Sequence, residues 1–437
     1  MTYLRGFIGI VILVFIAYLL SSYRKKIDWK LVGAGIVLQI VIAILVLKVP
    51  LIRNGFEWIG GGVVKFLGFA AYGAEFLFGD LARNSDVFTH SRHNLGFLFA
   101  FQALPAVIFF SSVTTGLYYL GILQKVVYSF AWIMSRTMRL SGAESLSAAG
   151  NIFLGQTEAP LLVRPFISRM TQSELNCLMT GGMATIAGSV MGAYITFLGG
   201  ADPEQLVKFA TYLLCASIMN APAAIVMSKI FLPETEPEKI DKSLKVNKES
   251  IGANVIDAFA TGAADGLKLA LNIGAMLLAF IAIIYAMNWM LVDGFGNWTG
   301  LNAWVVESTG GAFDGFSLQY IFGQIFRVFA FAMGVSWSES LQVGSLLGQK
   351  MVINEFVAYL SLSDMKTTGL LSEKSIIIST YALCGFANFS SIAIQIGGIG
   401  GMAPDRQSDL SRLGIKALLG ASLATMMSGT IAGALFG

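Results

Sequence analysis

Apolar residues run along the chain in continuous blocks of about twenty, with no period-two alternation. Blocks of that length suit helices that cross a bilayer, and the missing alternation argues against a transmembrane barrel. Eight such spans are expected, at residues 3–22, 31–49, 95–120, 175–198, 206–232, 267–292, 376–399 and 415–436. Between them lie three stretches expected as interfacial helices, at 55–81, 124–139 and 320–334. The first is rich in Gly and Phe with scattered charges at Glu57, Lys65, Glu75 and Asp80; the second carries Lys125, Arg136 and Arg139 on one face.

Two further stretches are membrane-like but too polar to face lipid. Residues 142–170 hold Glu144, Asn151, Gln156, Thr157, Glu158 and Arg164, interrupted by Pro160 and Pro165. Residues 337–362 hold a comparable polar set. Each reads as a re-entrant helical hairpin, since irregular backbone at membrane depth is tolerated only where protein buries it.

The hairpins repeat one another. Glu144-Ser145-Leu146, Leu154-Gly155-Gln156 and then Glu158 answer to Glu339-Ser340-Leu341, Leu347-Gly348-Gln349 and then Glu355. Lys and Arg placement sets orientation. Arg24-Lys25-Lys26, the Lys239, Lys242, Lys245 and Lys248 loop, and Arg164, Arg169, Arg406, Arg412 and Lys416 all fall on one side, expected to be cytoplasmic. Residues 294–318 carry no Lys or Arg and fall outside. Only Arg83 and Arg92 break the pattern. Both termini are then outside, and the hairpins approach from opposite faces. Inverted repeats with broken helices are the architecture of secondary transporters.

Composition agrees. Of 437 residues, 55% are apolar and 13% charged, about half the ~25% charge of soluble domains. Mean hydropathy is +0.71. A net charge of +3 gives no sign of nucleic-acid binding. Cys177, Cys215 and Cys384 all lie in apolar runs without a CxxC, so they are expected as core residues rather than a disulfide or metal framework. His90 and His93 share one polar loop with no further His/Cys cluster, which disfavours a metal role and leaves their part open. No nucleophile–base pair suggests an enzyme. The N-terminus lacks a basic n-region and a small-residue cleavage site, so it is expected as a retained span.

Ionisable groups within membrane spans are costly and usually functional. Glu158 and Glu355 stand out, either as caps or ion-pair partners (Arg164 and Lys350 are near in sequence) or as acceptors for a substrate rich in hydroxyl or NH donors. Gln156 and Thr157 flank Glu158. Asn388 and Ser391 are three apart, hence on one helical face, with Ser390 beside them. Phe386 is either plain packing or a wall for a planar ring. Asn151 and Thr185 offer neutral oxygens such as a bare sodium ion needs, though Thr185 could equally bond back into its helix.

The run Gly348-Gln349-Lys350-Met351-Val352-Ile353-Asn354-Glu355-Phe356-Val357-Ala358-Tyr359 resembles the signature of concentrative nucleoside transporters. Gly155-Gln156-Thr157-Glu158-Ala159-Pro160 and Cys384-Gly385-Phe386-Ala387-Asn388-Phe389-Ser390-Ser391 are similar to two further motifs of that family. The layout without extra N-terminal spans resembles its bacterial eight-span branch. The resemblance implies a homotrimer in the inner membrane that imports a uridine-like nucleoside with sodium; proton coupling or a channel are the alternatives. It places the nucleobase against Gln156, Thr157, Glu158 and Val190, and the ribose against Glu355, Asn388 and Ser391, with Phe386 beside them. It places sodium at the Asn151 and Thr185 side chains and the Leu154 and Ile186 carbonyls. Some proton-coupled relatives lack that Asn, so Asn151 favours sodium. It also implies a static scaffold (residues 1–120 and 233–293) and a moving transport domain (121–232 and 294–437).

Overall fold

The computed structural model describes residues 2–82, 98–244 and 252–436, and these contain helices and no strand. His90, His93, Arg83, Arg92, Lys245 and Lys248 fall outside the described residues. The chain is an all-α polytopic membrane protein. Seven helices are long and apolar enough to cross a membrane. Six coincide with spans two, three, four, five, six and eight. The seventh includes Pro50–Phe78, the stretch expected to lie at the interface. It starts directly after Val49, with proline in its first turn, where a missing N–H costs nothing. Span one is Thr2–Leu19, and span seven is split into Glu373–Leu383 and Phe389–Met402.

Burial divides the spans into two classes. Of the most apolar window in spans four, five and eight, 94%, 89% and 89% is buried within the chain; for spans two, three and six the figures are 28%, 22% and 22%. The first group is surrounded by protein, and the second presents its apolar surface outward, to lipid or to another copy. Packing partners refine this division. Span three (Leu104–Tyr119) lies against span six (Val255–Asn288), where Gly262 and Gly266 leave no room for a side chain beside Thr115, Ser111 and Ile108. Ser112 Oγ also donates to the Phe259 carbonyl at 2.8 Å. Spans one and two pack elsewhere, against spans five and eight. Ser22 N–H donates to the Phe231 carbonyl at 3.0 Å, and Lys416 Nζ to Ser22 Oγ at 2.6 Å. Pro50–Phe78 bridges the two groups: Phe66 stacks near Phe109, while Leu67 fills the space beside Gly192 of span four.

The two hairpins form as expected but with different arms. The first opens with Gly142–Gly150, set by a capping box in which Ser141 Oγ accepts from Glu144 N–H and Glu144 Oε2 from Ser141 N–H. Its tip, 151–158, is irregular, and its return arm is a 3-10 turn, Ala159–Val163, where Pro160 prevents a regular ladder. The second is two full helices, Ser340–Val352 and Glu355–Thr367, broken only at Ile353-Asn354. The three cysteines are buried and unpaired, as their apolar settings implied.

Candidate binding cavity

Two spans that read as continuous are broken at mid-length, and the breaks cross. Span four divides at Thr185–Ala187, between Gln172–Ala184 and Gly188–Gly199. Span seven divides at Cys384–Asn388. Phe386 N–H donates to the Thr185 carbonyl at 3.3 Å. Gly385 lies so close to the Ala184 carbonyl that a side chain there would collide, which accounts for the glycine. Each break frees backbone groups that cannot be left bare at depth. Span five supplies partners one turn apart: Ser217 Oγ donates to the Ile152 carbonyl at 2.9 Å, and Asn220 Nδ2 to the Cys384 carbonyl at 2.5 Å.

Around this crossing the hairpin tips converge. Glu355 is 2% exposed; its Oε1 accepts from Tyr194 OH at 3.1 Å and its Oε2 from Asn388 Nδ2 at 2.9 Å. Tyr194 is itself fixed by stacking on Tyr359, with ring centroids 4.5 Å apart. Asn388 Oδ1 accepts from Ser391 N–H at 2.9 Å and from Ser390 Oγ at 2.7 Å. Asn388 therefore caps Phe389–Met402, and its spacing of three from Ser391 is a capping relation rather than a shared helical face. Gln156 Nε2 donates to Ser391 Oγ at 3.1 Å, and its Oε1 accepts from Gln395 Nε2 at 3.2 Å. Hairpin one and span seven are thus joined side chain to side chain. Glu158 Oε2 accepts from Gly155 N–H at 3.0 Å, folding the tip back on itself.

One cavity gathers the sequence-derived residues. Gln156, Thr157, Glu158, Val190, Glu355, Phe386, Asn388 and Ser391 all line it, together with Asn354 and Ser390. Counting its open mouth, the cavity spans about 740 Å³. Carboxylate, amide and hydroxyl groups stand at one side. The opposite wall is apolar and comes from span six, through Leu269, Ile273, Met276 and Leu277.

Behind this cavity, Asn151 is 1% exposed and neither atom of its side-chain amide has a hydrogen-bond partner among the described residues. Thr185 Oγ1 donates to the Gly181 carbonyl at 3.0 Å, the back-bonded arrangement, which still leaves its lone pairs free to accept a cation. Leu154 and Ile186 lie in the irregular stretches at the hairpin tip and the span-four break, outside any helical ladder. The Asn151 amide and the Thr185 hydroxyl are neutral groups whose oxygens remain able to accept a bare cation.

Lys350, offered by the sequence as an ion-pair partner for Glu355, takes another part, and Gln395, Tyr194 and the span-six wall were not picked out. Lys350 is buried, with Nζ donating to the Ala382 carbonyl at 2.8 Å and to Thr425 Oγ1 at 2.9 Å, so it closes the last turn before the span-seven break rather than pairing with Glu355. Gln395 stands four residues after Ser391, a spacing readable as one helical face. Tyr194 and the span-six wall left no such trace, because an apolar span with one hydroxyl looks like any other.

The chain matches the sequence profile described as "Na+ dependent nucleoside transporter C-terminus" over residues 212–433, its N-terminal counterpart over 8–81, and "Nucleoside recognition" over 100–201. It is 43% identical to an "Uncharacterized transporter" of Haemophilus influenzae, covering 100% of this chain and 99% of that one. It is 39% identical to "Sodium/nucleoside cotransporter 1" of Mus musculus, covering 99% of this chain and 64% of the longer mouse protein. Among solved structures, CNTnw in an inward-facing substrate-bound state superposes with a TM-score of 0.88 at 39% identity, covering 100% of this chain and 98% of that one.

Proposed function

Because the chain belongs to the concentrative nucleoside transporter family, we propose that it is a secondary-active symporter that brings nucleosides inward on the sodium gradient. The observation that carries this reading is the cavity in which two oppositely oriented hairpins bring Gln156 and Glu158 to face Glu355, Asn388 and Ser391. A ribose presents vicinal hydroxyl donors, which a carboxylate flanked by an amide accepts. A nucleobase presents a planar face and mixed edge groups, which Gln156 and Thr157 can meet, with Val190 and Phe386 against the ring.

Sodium is assigned to Asn151 and Thr185 side-chain oxygens and to the Leu154 and Ile186 carbonyls. The unpartnered buried amide of Asn151 supports this assignment. A cation there would order the span-four break and the hairpin-one tip, and so tighten the substrate cavity. The moving unit holds both hairpins with spans four, five, seven and eight. The static frame in this reading is spans one, two, three and six, with the outward apolar surfaces that a homotrimer would bury. In this reading the basic loops are cytoplasmic and both termini lie outside, in a bacterial inner membrane.

Calorimetric titration of purified protein with uridine tests this directly. Uridine should bind tighter as sodium rises, and sodium tighter as uridine rises, by the same factor. Uridine binding that ignores sodium but tracks pH would replace sodium with a proton.

A further inference from the structure

A second cavity adjoins the first and shares only Glu158 and Leu154 with the binding scheme above. It encloses about 640 Å³ including its mouth and lies between hairpin one and the paired spans three and six. Its lining is more polar than its position suggests: Ser111, Thr114 and Thr115 of span three, Asp265 of span six and Ser189 of span four. Glu158 lines both cavities. Ser189 is 6% exposed, and its hydroxyl has no hydrogen-bond partner among the described residues. A buried hydroxyl left unpaired in a polar cavity marks a place where a ligand or water must complete the bonding.

Position along the helices gives this cavity a direction. Asp265 precedes Leu269, Ile273 and Leu277 on the same helix, so it lies roughly 6–18 Å nearer the start of span six than the substrate wall does. That start follows the loop holding Lys239 and Lys242. Span three runs the opposite way, and Ser111–Thr115 lie in its second half, toward the basic helix Ile122–Met138. Both lines place the second cavity on the basic side, cytoplasmic in the orientation proposed above. Asp265 stands just before the expected start of that span, and its carboxylate is largely open to the cavity mouth, 3.4 Å from Lys268 Nζ.

We propose that this cavity is a transit subsite, through which a nucleoside passes between the main cavity and the cytoplasm, held in passing by Asp265 and the Ser189 hydroxyl and handed on by Glu158. The inference rests on the nucleoside reading of the main cavity. Asp265 is an acceptor for ribose hydroxyls, Ser189 both donates and accepts, and the span-three hydroxyls continue the polar track. Glu158 can serve both cavities because a carboxylate offers about four acceptor positions and Gly155 takes one. A polar step on the frame side lowers the barrier to leaving a site whose other contacts all travel with the hairpins.

The test separates rate from affinity. Asp265→Asn, Asp265→Glu and Ser189→Ala are reconstituted for sodium-driven uridine uptake, and uridine affinity is measured in parallel by calorimetry. Asp265→Asn and Ser189→Ala should each slow maximal uptake about fivefold, the loss of one hydrogen bond, with affinity within about twofold of the parent. Asp265→Glu should restore most of the rate. Uptake unchanged in both Asp265→Asn and Ser189→Ala would overturn the proposal, as would affinity falling in step with rate. Should Asp265→Asn fail to fold, Ser189→Ala alone decides. If the parent protein itself bound no uridine, the nucleoside reading would fail, and that outcome is distinct from normal binding with unaltered variant rates.

Discussion

The two hairpins descend from one pattern yet are finished differently. In the second, Glu355 begins a regular helix and both its oxygens are held, by Tyr194 and Asn388. Gln349, the counterpart of Gln156, is turned inward: Nε2 donates to Ser345 Oγ at 3.0 Å and Oε1 accepts from Ser361 Oγ at 2.7 Å, binding the two arms together. In the first, the tip is irregular, Gln156 reaches into the cavity, and Asn151 is left without a partner. A preorganised half suits the neutral substrate, while an underfilled half suits an ion that arrives and leaves. In the proposed reading the two hairpins share a sequence pattern while each tip carries different chemistry.

If both tips make one site, they must travel together. A disulfide between cysteines on facing turns of spans six and seven should abolish uptake while leaving uridine binding measurable. One joining hairpin one to span seven should be tolerated. The reverse outcome would show that the moving parts are wrongly assigned.

The anchors of the two hairpins sharpen the contrast. Glu144 pairs with Lys229 of span five, both almost fully buried. Its counterpart Glu339 is partly exposed and accepts from Ser372 N–H at 2.8 Å, Ser372 Oγ at 2.9 Å and Ser375 Oγ. Lys229→Met should cost about 3–5 kcal/mol, since it strands a buried carboxylate. Pairing it with Glu144→Gln should recover much of that loss. Glu339→Gln should cost only about 1 kcal/mol, as its neighbours are hydroxyls open to water. Thermal unfolding in detergent ranks the three, and equal costs would erase the distinction.

Much of this was legible in the sequence because membranes impose a coarse grammar. Span lengths, hairpin polarity and the paired glutamates all follow from the cost of polar groups at depth. Gln156, Thr157, Glu158, Glu355, Asn388 and Ser391 were found because polar side chains are rare in such runs, while Val190 came from the family resemblance alone. The breaks in spans four and seven were not legible. Thr185-Ile186-Ala187 holds neither proline nor a run of glycine, and its opening is compensated at the crossing, where Phe386 N–H bonds the Thr185 carbonyl and Gly385 makes room. Asn388 looked like a helical residue for the same reason: only the break makes it a cap. Repeat spacing also misled where Gln349 sits in a helix interior and Gln156 does not.

At the substrate half, Glu355→Gln should weaken uridine binding about 10- to 100-fold, matching a charge-assisted hydrogen bond of ~1.5–3 kcal/mol. The new amide would also set a donor against Asn388 Nδ2. Near-normal affinity by calorimetry would remove Glu355 from the site. At the ion half, Asn151→Ala should raise the sodium concentration for half-maximal uptake about tenfold, or ~1.4 kcal/mol. Uridine affinity at saturating sodium should hold. An equal loss of both would show that the two tips are not divided as described.

The central claim is that a sodium gradient drives nucleoside accumulation through this paired site. Its most direct measurement is labelled uridine inside proteoliposomes, with equal pH on both sides and an imposed sodium gradient. A tenfold gradient supplies ~1.4 kcal/mol and 100 mV a further ~2.3 kcal/mol per charge, enough for roughly 500-fold accumulation with one sodium per cycle. The account predicts uridine concentrated well above the outside level, collapsing when the sodium gradient is dissipated. Accumulation that persists without sodium and follows an imposed pH gradient would contradict it.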